Sequence, residues 1–375
     1  MIQTNIEVKL QKNGYSIHAG IGILRQAGQI IKNLIKGQKI LIVSNKKVFK
    51  LYGKTLIQSL QKYFKCYVFL MGDGEKYKNI HTVSEILEKC ANIKLDRNCA
   101  IVGLGGGVVG DVAGFVAAIY MRGINLIHVP TSLVAQADSS IGGKTGVDLK
   151  AGKNLIGCFY QPRAVITDID VLYSLNENEY KNGLTEVIKY GIIMDAPFFY
   201  FLKKNVTKIM NRDKKALFYM VKKSIQNKVK IVEKDEKETT GLRAILNYGH
   251  TIGHAIESAG GYKLYKHGEA VAIGMFIAAS IAYKMQICPK ETFIEQKQIL
   301  NLFNLIKPLK KIKTDNILKK IKYDKKAVNG KIRFILTKKI GYVSFIQNMD
   351  LNLIKKELER YNKCIKQISR SKEEL

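Results

Sequence analysis

The chain has 375 residues, of which 46% are hydrophobic, and a formal net charge of +31. This length and hydrophobic content allow one or two substantial cores, and two domains are the default expectation. The apolar runs fall short of the roughly 20 residues that span a bilayer. The N-terminus has no charged segment followed by an apolar one, so we expect neither a membrane span nor a signal peptide. The six cysteines are widely spaced and form no Cys-x-x-Cys pair, which favours free thiols in a reducing cytoplasm.

The excess positive charge comes almost entirely from lysine and is spread along the chain, for example over residues 32–54, 203–237 and 307–326. Nucleic-acid-binding proteins usually pair arginine with aromatic side chains on one face, and the sequence contains no RNP, zinc-finger or helix-turn-helix signature. We therefore expect a lysine-rich solvated surface with no nucleic-acid or membrane partner. Such a surface still attracts anionic substrates.

The first half of the chain alternates short β-branched runs with amphipathic stretches. This pattern predicts a parallel sheet with helices on its faces, whereas helical periodicity dominates from about Ser174 onward. We predict an α/β domain with a Rossmann-like parallel sheet over residues 1–173 and a mainly α-helical domain over residues 174–375. The predicted strands are Lys39–Ser44, Ala100–Gly103, Asn125–Val129 and Ala164–Thr167, with a small β element at Lys331–Leu336 and Tyr342–Ile346. The predicted helices are Val48–Tyr63, Ile80–Ala91, Glu177–Ile193, Pro197–Val206, Lys214–Glu233, Leu246–Ser258 and Gly268–Met285.

A glycine-rich turn, from Gly103 to Asp111, connects a predicted strand to an apolar helical segment. Such a turn lets backbone N–H groups and the helix N-terminus receive a phosphate. The pattern is not a clean Gly-x-Gly-x-x-Gly, and a tight turn without a ligand would look the same. Asp73–Lys78 and Pro130–Ser132 each follow a strand-like segment, at the edge of the sheet where ligands bind in open α/β folds. Together the three segments favour a nucleotide site.

The segment Asp138–Val147 contains Gly-Lys-Thr without being a P-loop, because Asp138 stands where the first glycine of that motif is required. ATP hydrolysis on a Walker motif is excluded on this ground. Lys144, Lys153 and Asn154 are nevertheless suited to an anion, since lysine binds phosphate as a point charge and asparagine fixes orientation. We predict that they lie on loops; two glycine-rich surface turns without a ligand are the alternative.

Three of the six histidines, His250, His254 and His267, fall within one short segment. His250 and His254 are four residues apart, so their rings project from the same face of a helix. Neutral imidazole is the commonest metal ligand, and a catalytic divalent ion typically has three protein ligands and an open position. Glycines flank these histidines although glycine in a helix costs roughly 0.5–1 kcal/mol relative to alanine, which suggests close backbone approach to a bound group. The segment is predicted to form half of a metal site; unconnected surface histidines are the alternative.

Taken in order, these pieces resemble the 3-dehydroquinate synthases, sugar-phosphate cyclases of the shikimate pathway, from about Gly37 to Gly341. The resemblance implies a carbon–oxygen lyase that converts 3-deoxy-D-arabino-heptulosonate 7-phosphate into 3-dehydroquinate and phosphate. The family reaction proceeds by transient oxidation with NAD, β-elimination of phosphate, re-reduction and an intramolecular aldol step. The resemblance also implies that the domain of residues 1–173 binds NAD and that the domain of residues 174–375 binds one divalent ion (zinc or cobalt) and the substrate, a small anionic sugar phosphate. It further implies a homodimer. The matching motifs are Gly-Gly-Gly-Val-Val-Gly-Asp, Arg-Gly-Ile-Asn with Val-Pro-Thr-Ser-Leu, Asp-Ser-Ser-Ile-Gly-Gly-Lys-Thr, Gly-Lys-Asn-Leu-Ile-Gly, Gly-Leu-Thr-Glu-Val-Ile-Lys-Tyr-Gly, Leu-Asn-Tyr-Gly-His-Thr-Ile-Gly-His-Ala and His-Gly-Glu-Ala-Val-Ala-Ile-Gly-Met.

The resemblance also implies roles for individual residues. Glu186 matches the metal carboxylate beside His250 and His267, and His254 matches an active-site histidine that is not a ligand. Arg122 matches an arginine that reaches toward the neighbouring subunit's site, and Lys325 or Lys326 matches a late phosphate contact. The NAD-contacting positions are Asp73, Gly74, Glu75, Lys76, Tyr77, Lys78, Gly107, Val108, Val109, Gly110, Asp111, Thr131, Ser132, Lys144, Lys153, Val171, Leu172, Tyr173 and Ser174. The substrate-contacting positions are Asp138, Lys144, Asn154, Lys189, Lys228, Arg243, Asn247 and His254.

Three other functions remain open at this point. Another sugar-phosphate cyclase would make a different carbocycle, such as an inosose or a valiolone. A metal- and NAD-dependent polyol dehydrogenase would release NADH, and a basic binding protein would hold no metal. The phosphate and carboxylate partners favour the dehydroquinate branch; they are Lys144, Asn154, Lys228 and Arg243.

Overall fold

The computed structural model describes residues 2–309, 312–327, 333–347 and 349–373, with the side chains of 323–327, 333 and 364–373 outside the description. The described residues form two compact units. The strands are β1 (Gln3–Val8), β2 (Tyr15–Gly20), β3 (Lys39–Asn45), β4 (Lys65–Met71), β5 (Ala100–Gly105), β6 (Asn125–Pro130), β7 (Lys144–Leu149), β8 (Gly152–Phe159), β9 (Ala164–Asp168), β10 (Arg333–Lys339) and β11 (Tyr342–Gln347). The helices are α1 (Ala27–Lys32), α2 (Lys46–Leu60), α3 (Ile80–Asn92), α4 (Gly107–Ile119), α5 (Glu177–Met194), α6 (Ala196–Lys204), α7 (Val206–Met210), α8 (Lys214–Lys234), α9 (His250–Ala259), α10 (His267–Lys284), α11 (Lys290–Leu302), α12 (Thr314–Ala327) and α13 (Leu351–Glu373).

The first unit, Met1–Tyr180 with Arg212–Thr239, is built on a seven-stranded sheet in the order β1-β2-β9-β6-β5-β3-β4. Its strands are parallel except for the edge pair β1 and β2. Successive residues of β3 enter opposite cores: Leu41 and Val43 pack on one face, and Ile40 and Ile42 on the other. A strand buried on both faces reads as a continuous apolar run, which is why the four predicted strands were recognisable. The predicted fold class is confirmed.

The strand order places a topological switch point between β3 and β5. The chain passes from β3 to β4 on one side and then returns to place β5 on the other side. In open α/β sheets, ligands bind in the crevice at the carboxyl ends of such strands. Here the Ser44 hydroxyl donates to the Leu104 carbonyl over 2.7 Å and ties the ends of β3 and β5 together.

Two segments of the first unit differ from the sequence prediction. The edge hairpin of β1 and β2 was not predicted, and the segments predicted as loops around Lys144 and Asn154 form the antiparallel hairpin β7–β8. The loop prediction was wrong because the hairpin contains glycines, which weaken a strand signal. A Cβ on Gly157 would lie 2.1 Å from the Thr145 carbonyl oxygen, so glycine is what allows the two backbones to pair closely.

Helix α8 also belongs to the first unit, with the rest of Arg212–Thr239. It packs against β1, β2 and the π-helical turn Ala135–Ser139. The sequence-predicted boundary after residue 173 differs from this division, since it assigns the helix to the second domain. Helical periodicity identifies α8 but carries no information about the surface on which the helix packs.

The second unit, Lys181–Asn211 with Thr240–Leu375, is mainly helical. Helix α10 is buried along most of its length, and α9, α11, β10 and α13 pack around it. The predicted helix Leu246–Ser258 is interrupted at Gly249, whose φ of 78° ends one helical segment so that α9 begins at His250. The β10–β11 hairpin matches the predicted small β element. Throughout the described ranges, every helix is too short or too polar to cross a membrane.

Candidate active site

A carboxylate and two imidazoles converge in the second unit. Glu186 lies on α5 and is 1% exposed, and its Oε1 is 3.7 Å from His250 Nε2 and 3.5 Å from His267 Nε2. This oxygen is buried and accepts no hydrogen bond from the described residues, whereas Oε2 pairs with the ammonium of Lys189. Two imidazole nitrogens and one carboxylate oxygen are a donor set that suits a divalent transition ion. The residues therefore fit a metal ion between them.

The other nitrogen of each imidazole already has an acceptor. His250 Nδ1 is 3.1 Å from the Tyr248 carbonyl oxygen, and His267 Nδ1 is 2.9 Å from a carboxylate oxygen of Glu257. With Nδ1–H donating, Nε2 is the nitrogen of each ring that can bind an ion, and it faces Glu186 in both rings. Metal-binding histidines are oriented by partners of this kind. Glu257, which is 6% exposed, was missed from the sequence, although its spacing of seven residues from His250 places it on the same helical face.

The glycines beside the histidines bring helices together. A Cβ on Gly268 would lie 2.3 Å from the Asn182 carbonyl oxygen, and one on Gly253 would lie 3.1 Å from Val271 Cα. The prediction that these glycines approach a bound group was wrong, because the close neighbours are backbone and side-chain atoms of adjacent helices. The glycines let α5, α9 and α10 pack closely, which positions the histidines that are predicted to bind a metal.

The three proposed ligands differ in protonation when no ion is bound. Burial raises the pKa of Glu186, but Lys189 and the two histidines outweigh it and hold this pKa well below its usual range. Burial, reinforced by the charge of Lys189, holds the pKa of His250 well below its ordinary value. Burial lowers the pKa of His267, but Glu186 and Glu257 outweigh it and raise the pKa to about 10. An incoming cation thus meets one carboxylate, one neutral imidazole and one imidazolium whose proton it displaces.

His254 is exposed on α9, and its ring stacks on that of His267 with centroids 5.7 Å apart. One nitrogen of each of the three histidines lies within 4.8 Å of the other two, so His254 borders His250 and His267. Lys189 and Arg243 are also in the second unit and are 1% and 2% exposed, whereas Asn247 is exposed. The side chain of Lys325 lies outside the described residues.

In the first unit, the predicted nucleotide segments lie at one edge of the sheet. The glycine-rich turn follows β5, Thr131 and Ser132 follow β6, and Val171–Ser174 follows β9. No described side chain caps the first turn of α4, so its N–H groups are available to a phosphate. Cβ atoms on Gly106 and Gly107 would approach the hydroxyls of Ser132 and Ser139 within 3.4 and 3.2 Å. Glycine keeps the space above the turn open, and the turn lines a small cavity together with His128 and Pro130.

Asp73 and Asn45 lie at the same edge. The Asn45 amide donates to the Asp73 carboxylate over 3.0 Å, and its side-chain oxygen accepts from Val48 N at the start of α2. Asn45 was missed from the sequence, although a polar residue at the carboxyl end of a buried strand was a usable signal. It fixes the orientation of Asp73 at the switch point, and these polar and glycine positions together fit a dinucleotide.

Lys78 links two polar side chains of the first unit. Its ammonium is 2.6 Å from the Asp111 carboxylate and 2.5 Å from the Asn154 side-chain oxygen. Asn154 has a φ of 55° and donates its backbone N–H to Asp148 over 2.7 Å. Burial lowers the pKa of Lys78, but the carboxylates around it, with Asp111 foremost, raise it overall. Lys78 is therefore a fixed cation that orients the NAD and substrate positions predicted around it.

The remaining predicted anion partners form separate pairs. Lys228 donates to both the side chain and the carbonyl of Asp138 at 2.7 Å. Lys144 pairs with Glu238, and Lys153 lies 3.5 Å from Glu75. The cationic groups are thus held in place by carboxylates of the same unit.

Arg122 is exposed in the turn after α4. Its φ is 63°, and Met121 before it is also left-handed, with a φ of 50°. Two successive non-glycine residues in this region are uncommon. The left-handed conformation of these two residues ends the helical run and leaves Arg122 on the surface of the first unit.

Comparison with known proteins identifies the family. The family model described as 3-dehydroquinate synthase N-terminal matches residues 68–182, and the one described as 3-dehydroquinate synthase C-terminal matches residues 183–327. The chain belongs to the 3-dehydroquinate synthase family. It is therefore an enzyme of the carbon–oxygen lyase class, and the predicted family, activity and enzyme class are confirmed.

A curated 3-dehydroquinate synthase of Rippkaea orientalis is 44% identical over 354 residues, which cover 93% of this chain and 96% of that protein. A crystal structure of 2-deoxy-scyllo-inosose synthase complexed with carbaglucose-6-phosphate, NAD+ and Co2+ matches with a TM-score of 0.86 and 28% identity over 95% of this chain and 99% of that one. The 2-epi-5-epi-valiolone synthase of Streptomyces hygroscopicus subsp. jinggangensis, with NAD+ and Zn2+ bound, matches with a TM-score of 0.86, 23% identity and coverage of 95% and 98%. Sugar-phosphate cyclases thus share the fold of the 3-dehydroquinate synthases.

Proposed function

We propose that this 3-dehydroquinate synthase converts 3-deoxy-D-arabino-heptulosonate 7-phosphate into 3-dehydroquinate and phosphate. The two units supply different parts: the first unit holds NAD and the phosphate-binding lysines, and the second holds the divalent ion. The observation that carries this assignment is the buried Oε1 of Glu186 facing the Nε2 atoms of His250 and His267. The complex of the similar inosose synthase with NAD+ and Co2+ supports the choice of cofactors.

Bound NAD would supply reversible hydride transfer, and a divalent ion held by Glu186, His250 and His267 would supply Lewis acidity at a substrate hydroxyl. The residues of this chain prepare the groups around that chemistry. The Tyr248 carbonyl and the Glu257 carboxylate accept from Nδ1 of His250 and His267, so that Nε2 of each ring is directed at the ion. Lys189 neutralises the second oxygen of Glu186, so the ligand stays ionised.

The substrate carries a phosphate and a carboxylate, and the cationic positions suit both. We assign Lys144, Lys228, Arg243 and Lys189 to these anions, because charge-assisted hydrogen bonds are stronger and shorter than neutral ones. We assign Asn154 and Asp138 to the hydroxyl groups of the substrate. Lys78 holds Asn154 in place, and Lys228 holds Asp138.

His254 is the residue that we assign to proton transfer. It is exposed on α9 beside the two ligand histidines, so it can exchange protons with solvent, and imidazole is the side chain that titrates closest to neutral pH. Asn247 and the buried Arg243 precede it on the same stretch of chain.

The assembly and location follow from the same proposal. We propose a cytoplasmic homodimer in which Arg122 serves the neighbouring subunit's site; its exposure on a turn supports a role outside its own unit's core. We also propose that Leu172 and Tyr173 contact the nucleotide and that Lys325 contacts phosphate.

The test is release of inorganic phosphate from the heptulosonate phosphate with NAD present, while absorbance at about 340 nm, the nicotinamide band, is read in parallel. We expect phosphate release without accumulation of NADH, and its loss with a chelator. Glu186→Ala and His250→Ala should lose bound metal and activity together, whereas Glu177→Ala, at an exposed position of the same helix, should keep both. Full activity without metal would refute the proposal.

The rival functions give different results in the same assay. A polyol dehydrogenase would accumulate NADH with simple polyols and release no phosphate. An inosose or valiolone cyclase would release phosphate or close a ring only with a different sugar phosphate. Conversion of the heptulosonate phosphate therefore decides among them.

A further inference from the structure

One arginine outside the proposed machinery collects the backbone of a predicted nucleotide segment. Arg212 Nη1 donates to the carbonyls of Leu172 and Tyr173 at 3.0 and 2.7 Å, and Nη2 donates to the Leu175 carbonyl at 2.5 Å. In return, the Tyr173 hydroxyl donates to the Arg212 carbonyl over 2.6 Å. Residues 172–175 are therefore bound to Arg212 by four hydrogen bonds, three from its guanidinium and one to its main-chain carbonyl.

The chain geometry at Arg212 is unfavourable without these contacts. Arg212 follows α7 and its C-cap Asn211, and it has a φ of 57°. Glycine is the usual residue at this left-handed position after a helix. A non-glycine residue there persists when the surrounding structure determines its conformation, and here the guanidinium contacts supply that determination.

The place of Arg212 in the chain is also informative. The first unit ends its first stretch at Tyr180 and resumes at Arg212, and the guanidinium lies 4.8 Å from the centre of the Tyr180 ring. The chain thus returns to the first unit at Arg212 itself. The Arg212 side chain contacts both Tyr180, where the chain leaves this unit, and residues 172–175 between β9 and α5. Lysine could not replace it, because only the planar guanidinium presents several donors in a fixed fork.

The opposite side of the same segment is held independently. The Tyr52 hydroxyl donates to the Val171 carbonyl over 2.9 Å, and Ser174 Oγ donates to the same oxygen over 3.2 Å. Val171 and Leu172 are buried, while Tyr173 is 43% exposed. The carbonyls of residues 171, 172, 173 and 175 are thus each held by a protein donor, and the segment they fix follows the carboxyl end of β9, where ligands bind in open α/β folds.

We propose that Arg212 is a positioning residue for the dinucleotide: it fixes residues 172–175 in the conformation that receives NAD. The inference rests on the proposed function, because it takes Val171–Ser174 as part of the nucleotide site. Without the clamp, the segment must be ordered when NAD binds, and affinity falls by the cost of that ordering.

The test compares NAD affinity among variants of the full-length, metal-loaded protein by calorimetric titration. Arg212→Gly removes the clamp and also relieves the left-handed backbone, so it separates positioning from stability. We expect NAD to bind at least about tenfold more weakly, the effect of one net hydrogen-bond interaction, while the thermal midpoint without NAD stays near that of the parent. Arg212→Lys keeps the charge without the fork and should show an intermediate loss. In turnover, KM for NAD should rise while kcat at saturating NAD is retained.

Lys215→Ala is the matched control, because it removes a positive charge from an exposed position three residues away and should leave NAD affinity unchanged. If Arg212→Gly does not fold, Arg212→Lys decides the question alone. Parent-like NAD affinity in the folded clamp variants would overturn the inference. Failure of the parent protein to bind NAD would instead refute the proposed function, so the two failures are distinguishable.

Discussion

Gly274 of α10 is the position where the packing of the metal-binding helices can be tested most sharply. A Cβ added there would lie 2.0 Å from the Gly249 carbonyl oxygen and 3.1 Å from Gly253 N, both backbone atoms of the neighbouring chain segment. No rotamer can relieve this clash. To bring the Cβ to an ordinary contact distance of 3.4 Å from the oxygen, the two backbones must move apart by about 1.4 Å, the difference between 3.4 and 2.0 Å. Overpacking costs typically 1–3 kcal/mol, and the helical preference for alanine over glycine returns about 1 kcal/mol.

We therefore expect Gly274→Ala to lower the free energy of unfolding by about 2 kcal/mol, from the upper end of that overpacking range less the helical gain. Because Gly249 directly precedes His250, the same displacement exceeds the roughly 0.2 Å tolerance of metal–ligand distances, and metal affinity should fall at least about tenfold.

The assay is urea unfolding with chelator present, followed by titration of the folded protein with Co2+. Gly110→Ala is the control, since its Cβ would lie 3.7 Å from the His128 ring, an ordinary contact. Unchanged stability and unchanged metal affinity in Gly274→Ala would refute the reasoning from close helix packing.

Two further predictions concern pH. The pKa of His267 is raised to about 10, so the metal-free protein should lose stability as pH rises from about 6.5, the unperturbed value, to about 10. Over the same pH range metal binding should become tighter and release about one proton, which calorimetry in buffers of different ionisation enthalpy measures. Metal binding that does not depend on pH would contradict this prediction. Burial lowers the pKa of His128 to about 4, so stability should fall by about 3 kcal/mol, at 1.36 kcal/mol per pKa unit, as pH drops from about 6.5 to about 4. His128→Gln should flatten that part of the acid unfolding curve, and a curve identical to the parent's would count against the shift.

The sequence reveals more of the first unit's core than of its edges. Strands such as β3 and β5 are buried on both faces and therefore read as unbroken apolar runs, and the motif around Gly106 marks the turn between β5 and α4. Hairpin β7–β8 is hidden, because lysine, glycine and asparagine occupy its positions and its stability comes from the pairing of two backbones. The packing surface of α8 is equally hidden, since amphipathic periodicity specifies a buried face and not its partner.

For the site, the sequence by itself determines which side chains are available: a spaced pair of histidines, a third histidine, a helical carboxylate and an excess of lysine. Family resemblance then joins Glu186 to the histidines across more than sixty residues of sequence, a separation that no local pattern can bridge. Only the tertiary structure decides which atoms face one another. The Glu257 carboxylate orients His267, the guanidinium of Arg212 gathers three carbonyls, and Gly274 lets α10 meet the Gly249 backbone, because hydrogen bonds and steric contacts depend on distances between segments that sequence spacing does not set.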